Sequence, residues 1–386
     1  MKPIVYADNA ATTRLSPRVL EAMLPFLQEE YGNASSLYSL GRKAREPLED
    51  SRNTIARCLG AENREIFFTS GGSEANNWAL KGAAAFLAQR GKYHIISTAF
   101  EHPSVLRTLE ALKREGFSVT LLPVHENGIV RPQELERAIR EDTGLVSIMY
   151  ANNEVGTIQP IEELGAICRE HDVWFHTDAV QAAGALPIDV VKEHIDLLSL
   201  SGHKFHGPKG IGALYIREGL RFPSLIDGGE QESGRRAGTE NTAAIVGLGV
   251  AMEEACQHRE ENTRKARAMR DRLLTGLLSI PGCHLNGDRE HRLSGNLNLS
   301  FAGIEGESLL LMLDMRGICA SSGSACASGS RDPSYVLRAL GVEEELAKGS
   351  LRLTLGDLNT EEEVDVLLRE IPATVERLRQ LRGWRP

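Results

Sequence analysis

A lysine that follows a buried strand is the first feature of this sequence that could support covalent chemistry. The segment SLSGHKFHGPKG begins in an apolar, strand-like run and carries Ser201, His203, Lys204 and His206. A lysine in a buried cleft can form a Schiff base with a carbonyl compound. Most lysines are simply solvated, but the neighbouring histidines, the serine and the Gly-Pro step favour a functional role for this one.

A second segment, FFTSGGSEANN, is typical of a phosphate site. A strand ends in two glycines and Ser73 immediately before a helix, which directs backbone N–H groups and the positive helix end to one point. Glycine allows the backbone to approach an anion closely. An ordinary turn capped by Ser73 explains the pattern equally well. Neither G-x-G-x-x-G nor G-x-x-x-x-G-K-[ST] occurs in the chain, which argues against a dinucleotide or P-loop enzyme.

Two further strand ends carry polar residues. VWFHTDAVQ ends in Asp178 and Gln181, and a carboxylate in this position can pair with a protonated pyridine nitrogen. His102, in AFEHPSV, could stack on a cofactor ring or transfer protons near neutral pH. A helix-capping aspartate and a structural histidine are the plainer alternatives.

Asn153 and Arg352 are candidates for binding a substrate carboxylate. They occur in YANNEVGT and GSLRLTLG, far apart in the chain, and the arginine could act as a bidentate fork. Taken singly, each is more typical of a structural residue.

The elements that must position these residues alternate between strands and helices. Because helical patterns separate most of the strands, we predict a largely parallel sheet covered on both faces, with ligand sites at the carboxyl ends of the strands. The first strand-like run ends at Ser70. The others lie at 93–98, 117–122, 144–150, 173–178, 196–201 and 212–216.

The pattern changes after about residue 255, where a long charged helix precedes the strand-like NLNLSF and the helix-like GESLLLMLDMRG. We therefore predict an α/β fold with a large domain at 15–255. A smaller α+β domain is formed by 1–14 and 256–386. The Ser/Gly/Ala-rich segment SSGSACASGS at 321–330 is expected to form a mobile loop within it.

Composition excludes several classes of protein. The 386 residues are 41% hydrophobic, enough for a substantial core, and the net charge of −9 disfavours nucleic-acid binding. No apolar run approaches the roughly 20 residues that cross a membrane, and MKPIVYADNAATT is unlike a secretory leader. The six cysteines contain no C-x-x-C pair and are expected to be reduced thiols. We expect a cytoplasmic protein that binds neither membrane nor nucleic acid.

Taken together, the motifs closely resemble the cysteine desulfurases of the nitrogen-fixation and iron-sulfur-assembly type. These enzymes belong to the class-V aminotransferase group of fold-type I pyridoxal-phosphate enzymes. The resemblance covers almost the whole chain. It is carried, in the expected order, by YADNAATT, FTSGGSEANN, EHPSV, NNEVG, HTDAVQ, SGHKFHGPKG, RRAGTEN, SSGSACASG, DPSYVLRALG and SLRLTLG.

The resemblance implies pyridoxal 5'-phosphate as the cofactor and a role for each matching residue. Lys204 would bind it covalently, Asp178 would pair with its pyridine nitrogen, Gln181 would contact its phenolic oxygen, and His102 would stack and transfer protons. The phosphate would be held by Gly72, Ser73, Ser201 and His203. Thr239 would reach the phosphate in the neighbouring subunit, which implies a homodimer with shared sites.

The resemblance also implies L-cysteine as substrate, with its carboxylate on Asn153 and Arg352. Cys326 would accept the sulfur as a persulfide, leaving L-alanine. The sulfur would then pass to an acceptor or an iron-sulfur scaffold protein, and whether Cys326 ligates iron during cluster transfer stays open.

Two alternatives remain. A selenocysteine lyase, another lyase or a transaminase would share Lys204 and Asp178 but would not depend on Cys326. A non-catalytic scaffold or carrier protein would keep the fold alone, and the intact set of Lys204, Asp178, His102 and Arg352 argues against it.

Overall fold

The computed structural model describes residues 4–323 and 333–384. Its strands are β1 (Val5–Tyr6), β2 (Ile66–Thr69), β3 (His94–Thr98), β4 (Ser118–Leu122), β5 (Thr143–Ser147), β6 (Trp174–Asp178), β7 (Leu197–Ser201), β8 (Gly212–Ile216), β9 (Cys283–Leu285), β10 (Asn296–Phe301), β11 (Ile318–Cys319) and β12 (Ser350–Thr354).

The helices in the described part of the chain are α1 (Pro17–Gln28), α2 (Ser39–Leu59), α3 (Gly72–Ala88), α4 (Pro103–Arg114), α5 (Pro132–Ala138), α6 (Ile161–Glu170), α7 (Thr242–Leu277), α8 (Gly306–Asp314), α9 (Tyr335–Ala339), α10 (Glu344–Lys348) and α11 (Glu361–Arg382).

Seven strands form the main sheet, in the order β2-β8-β7-β6-β5-β3-β4. The pairs among β7, β6, β5, β3 and β4 are parallel, and β8 is antiparallel to both of its neighbours. Six strands therefore point the same way, β2 among them, and their carboxyl ends meet at one edge. The predicted α/β fold with a mostly parallel sheet is confirmed.

Burial explains the composition of these strands. Every residue of β3, β5, β6, β7 and β8 is buried, as expected for strands covered by helices on both faces. α3 lies against the sheet through Ala75, Trp78, Ala79 and Ala83. The short alanine side chains let the helix approach the strands closely, so the start of α3 is held firmly at the carboxyl edge.

The chain after α7 builds a second, smaller set of elements. β12, β10 and β9 form an antiparallel sheet, and β1 pairs in parallel with β11. A separate hydrophobic cluster fills this part, with Val5 and Ala7 joining the leucines of β10, β12 and α11. The N-terminal strand therefore packs with the C-terminal elements.

The helix α7 connects the two parts. Its first ten residues are largely buried, whereas much of its second half is exposed and charged. The boundary predicted at residue 255 lies inside this helix, and the division into two domains stays a prediction. Among the described residues, no helix is long and apolar enough to cross a membrane.

Candidate active site

One cavity of about 230 Å³ collects most of the residues singled out in the sequence. Its lining includes Gly72, Ser73, His102, Asn153, Asp178, Gln181, Ser201, His203, Lys204 and Arg352. Thr239 does not line it and is exposed. Cys326 lies outside the described residues. The roles assigned to these side chains stay predictions, but the cavity brings ten of the predicted residues into one place.

The parallel sheet explains this convergence. Gly72 follows β2, His102 follows β3, Asn153 follows β5, Asp178 ends β6 and Lys204 follows β7. Because these strands point the same way, the residues beyond their carboxyl ends share one edge. Arg352 reaches the same cavity from β12 of the smaller sheet.

The ammonium group of Lys204 is held by two backbone carbonyls of the N-terminal segment. Its Nζ lies 2.5 Å from the oxygen of Ala10 and 2.9 Å from that of Ala11. The Gln181 amide also donates to the Ala10 oxygen, at 3.0 Å. The segment that carries YADNAATT therefore fixes both side chains at the cavity wall.

Asp178 is buried and receives two hydrogen bonds. Asn76 Nδ2 donates to its Oδ2 at 2.6 Å, and the Val180 N–H donates to its Oδ1 at 3.0 Å. The same Asn76 amide nitrogen also donates to Ser104 Oγ at 2.9 Å, and that hydroxyl contacts His102 Nδ1 at 2.7 Å. A continuous polar chain therefore joins Asp178 to His102.

Asn76 was not singled out in the sequence, although its position carries a signal. It stands four residues after Gly72 in α3, so the two share a helix face. Once Gly72 is assigned to the cavity, the i+4 position should line it too.

His102 caps helix α4 with its side chain. Nδ1 accepts a hydrogen bond from the Ser104 N–H at 3.2 Å, which assigns the ring proton of the neutral imidazole to Nε2. Burial lowers the pKa of His102 below its usual value; the Asp178 carboxylate opposes that shift and the Lys204 charge adds to it. At neutral pH the ring is therefore an uncharged N–H donor.

The opposite end of the cavity suits a phosphate. Gly72 and Ser73 open the 17-residue helix α3, where the first N–H groups have no acceptor inside the helix. A Cβ on Gly72 would lie 2.6 Å from Val180 Cγ2 and 3.6 Å from Ser201 Cβ, so only glycine leaves the cradle open. Burial, with the charges of Lys204 and Lys209, lowers the pKa of His203 to about 4. His203 is therefore a neutral imidazole near neutral pH.

Arg352 is 1% exposed and already has two partners. Its Nη2 lies 2.7 Å from Asp8 Oδ1, and its Nη1 donates to the Asn153 carbonyl oxygen at 3.0 Å. Within the described residues, its Nε and the Oδ1 of Asn153 are buried without a hydrogen-bond partner. These atoms are available to a polar ligand. Asp8 escaped the sequence analysis, although it is the acidic residue of YADNAATT.

Three contacts hold the two ends of the chain segment that contains Cys326. Ser321 Oγ donates to Asp8 Oδ2 at 2.9 Å before the segment, and Ser334 Oγ donates to Glu154 Oε2 at 2.5 Å after it. Tyr335 donates to the Glu101 carbonyl oxygen at 2.8 Å, directly beside His102. Both ends are therefore fixed at the cavity. Glu154, in the NNEVG motif, is a further residue that the sequence analysis missed.

A larger cavity of about 430 Å³ adjoins the first one and shares Ala10, Gln181 and Lys204 with it. It lies between the N-terminal segment, α7 and the loop after β12, where His206 pairs with Asp357 at 2.9 Å. The phosphate cradle and Asp178 line the smaller cavity, which we take as the chemical site. In the described part of the chain, no group of three or more His, Cys, Asp or Glu side chains is arranged to hold a metal ion.

The residues of the smaller cavity fit pyridoxal phosphate at each of its functional groups. Lys204 suits the aldehyde, Asp178 the pyridine nitrogen, and the Gly72 cradle at the start of α3 the phosphate. The fold and this site define a fold-type I pyridoxal-phosphate enzyme. The sequence model described as "Aminotransferase class-V" matches residues 5–367, and the chain belongs to this family.

Individual relatives are similar over nearly the full length. "Cysteine desulfurase IscS" of Methanosarcina thermophila is 54% identical over 382 residues, covering 99% of this chain and 94% of that protein. A solved "NIFS-LIKE PROTEIN" is 42% identical with a TM-score of 0.92, covering 97% of this chain and all of the other. The structure titled "SspA in complex with cysteine" is 38% identical with a TM-score of 0.82. The match covers 93% of this chain and 100% of that one.

Replacing Gly72 with alanine tests the phosphate cradle. The added Cβ meets Val180, and overpacking of this kind costs about 1–3 kcal/mol. We expect the dissociation constant for pyridoxal phosphate, measured by fluorescence titration of the apoprotein, to rise roughly tenfold or more. Lys81→Ala is the control, since this lysine is exposed on the same helix α3 and lies outside the cavity. Equal cofactor affinity in both variants would contradict the assignment.

Proposed function

We propose that this chain is a pyridoxal-phosphate-dependent cysteine desulfurase that transfers the sulfur of L-cysteine to Cys326. One observation carries the proposal: Lys204, Asp178, His102, Gln181 and Arg352 meet in a single cavity, each at a position suited to one step. The similarity to cysteine desulfurases over 99% of the chain supports the choice of substrate.

Asp178 sets the electronic character of the site. Its carboxylate is fixed in orientation by Asn76 and by the Val180 N–H, although it is buried. When bound, pyridoxal phosphate supplies an electron sink that acidifies Cα of the amino acid attached to it. A fixed carboxylate beside the pyridine nitrogen keeps that nitrogen protonated.

Lys204 and His102 move protons on the two sides of the substrate. The Lys204 amine would act as the base that takes the proton from Cα of the substrate. Burial lowers the pKa of His102 and keeps the ring neutral, and the ring presents its Nε2 proton to the cavity as a hydrogen-bond donor. The Ser104 contacts keep the ring in one orientation.

Arg352 and Asn153 bind the substrate carboxylate. The arginine is held in place by Asp8, and its Nε and the Oδ1 of Asn153 are buried without hydrogen-bond partners among the described residues. A carboxylate of the substrate supplies the missing acceptor for Nε. The ion pair with Asp8 holds the guanidinium in place before substrate arrives.

Cys326 accepts the sulfur of the substrate. Its thiolate attacks the γ-sulfur of the substrate, and a sulfur-sulfur bond forms as the bond from Cβ to that sulfur breaks. The electron pair stays on the carbon side and is protonated, giving L-alanine and a persulfide on Cys326. Asp8 anchors the chain before this residue through Ser321, and Glu154 and Glu101 anchor it after this residue through Ser334 and Tyr335.

The enzyme acts as a homodimer, with Thr239 completing the phosphate site of the partner subunit. Thr239 is exposed and lies outside the cavity of its own chain. The neighbouring Arg236 pairs with Glu74 at 2.9 Å, which places this segment beside the start of α3. The persulfide sulfur then passes to an acceptor protein in the cytoplasm.

Replacing Lys204 with alanine removes both the covalent anchor and the Cα base. We expect the purified variant to lack the visible absorbance of covalently bound pyridoxal phosphate. Its turnover of L-cysteine should fall at least roughly a hundredfold, the lower end of what a positioned acid-base group contributes. Lys209→Ala, at an exposed lysine of the same segment, should keep both signals. Unchanged absorbance in Lys204→Ala would show that the cofactor is held elsewhere.

Replacing Cys326 with alanine separates desulfurase chemistry from other reactions of this fold. The variant should keep the cofactor absorbance but release little sulfide from L-cysteine in the presence of a reductant, because the acceptor is gone and the electron sink is not. Cys319→Ala, seven positions earlier, serves as the control and should remain active. Full activity of Cys326→Ala would favour a selenocysteine lyase or another lyase instead.

A further inference from the structure

Two of the described cysteines form a pair on neighbouring helices, away from the active-site cavity. Cys58 lies at the end of α2 and Cys256 within α7, and their thiols are within hydrogen-bonding reach of each other. Cys58 Sγ also lies 3.9 Å from the carbonyl oxygen of Met252, one turn before Cys256. Both cysteines are partly buried and keep some exposure.

The backbone packing of the two helices sets this pairing. A Cβ on Gly249 would lie 2.7 Å from Ser51 Cβ, so α2 and α7 approach closely at that point. Cys58 and Cys256 each stand seven residues further along their helix, close to two full turns. The two helices therefore run in the same direction. The helix faces that meet at Ser51 and Gly249 face each other again two turns later, at Cys58 and Cys256. A close crossing of this kind favours the short Cα separation that a disulfide needs.

The surroundings make the two thiols unequal. The hydrogen bond from Cys58 is the main cause that lowers the pKa of Cys256 to about 7; burial opposes it, and the charges of Arg259 and Arg57 assist. The same hydrogen bond and burial raise the pKa of Cys58. The lowered pKa gives Cys256 more thiolate near neutral pH than Cys58 has. Since the thiolate is the nucleophile, Cys256 reacts first.

We propose that Cys58 and Cys256 form a reversible dithiol-disulfide site that reacts with small-molecule disulfides such as oxidised glutathione. The Cys256 thiolate attacks one sulfur of the small disulfide, whose sulfur-sulfur bond breaks and releases one thiol. Cys58 then loses its proton and attacks Cys256 Sγ, which releases the second thiol. Two protein thiols are oxidised and one small disulfide is reduced to two thiols. The site neither uses nor requires the cofactor.

The crosslink would tie the large sheet into a closed loop. All seven strands of the sheet lie between positions 58 and 256. A disulfide that closes so long a loop restricts the unfolded chain strongly. Oxidation should therefore raise the midpoint of thermal unfolding of the wild-type protein by several degrees. Cys58→Ser should show no such shift.

Mass spectrometry of peptides from the full-length protein, treated with oxidised glutathione near neutral pH, tests the site. We expect a linked Cys58–Cys256 peptide that dithiothreitol separates. Cys58→Ser should stop at glutathione on Cys256, and Cys256→Ser should leave Cys58 unmodified. Cys283 is the internal control, because it is also partly buried but burial raises its pKa to about 12. It should react at least roughly tenfold more slowly than Cys256.

The wild-type digest decides the question even if a serine variant fails to fold. Absence of the linked peptide while Cys256 carries glutathione would overturn the disulfide, and a Cys256 no more reactive than Cys283 would overturn the site itself. Cys326 falls in a separate peptide, and its modification bears on neither outcome. Failure here would leave the proposed desulfurase activity untouched.

Discussion

A buried carboxylate at the end of β6 is the constraint on which the site depends. Asp178 is only 4% exposed, and a buried carboxyl group is tolerated only with hydrogen-bond partners around it. Asn76 and the Val180 N–H are those partners. Because Asn76 belongs to α3, which also begins at the phosphate cradle, this one interaction fixes the spacing between the two ends of the cofactor.

The N-terminal segment has a comparable role between the two parts of the chain. The carbonyls of Ala10 and Ala11 hold Lys204 on the large sheet, while Asp8 holds Arg352 on the smaller one. Residues 8–11 therefore set the distance between Lys204 and Arg352. The remaining polar backbone contacts of this segment, including that of Asn9 with Thr354, reinforce the same junction.

Much of this arrangement follows from the sequence, because the carboxyl ends of parallel strands must meet. Residues that directly follow a strand, such as His102 and Lys204, are therefore predictable. Asn76, Asp8 and Glu154 are harder to find, since their roles depend on partners from distant segments. The pattern change near residue 255 has a local cause: the same helix α7 passes from a buried half to an exposed one. Thr239 acts, in our proposal, on a partner subunit, which no analysis of one chain can place.

The most direct test of the account measures alanine formed from L-cysteine by the purified protein, with and without a reductant that strips persulfide from the enzyme. We predict an initial burst of alanine without reductant, accompanied by one added sulfur on Cys326, and sustained turnover when the reductant is present. No alanine despite bound pyridoxal phosphate would contradict the proposal and assign the cavity to a different reaction of this enzyme class.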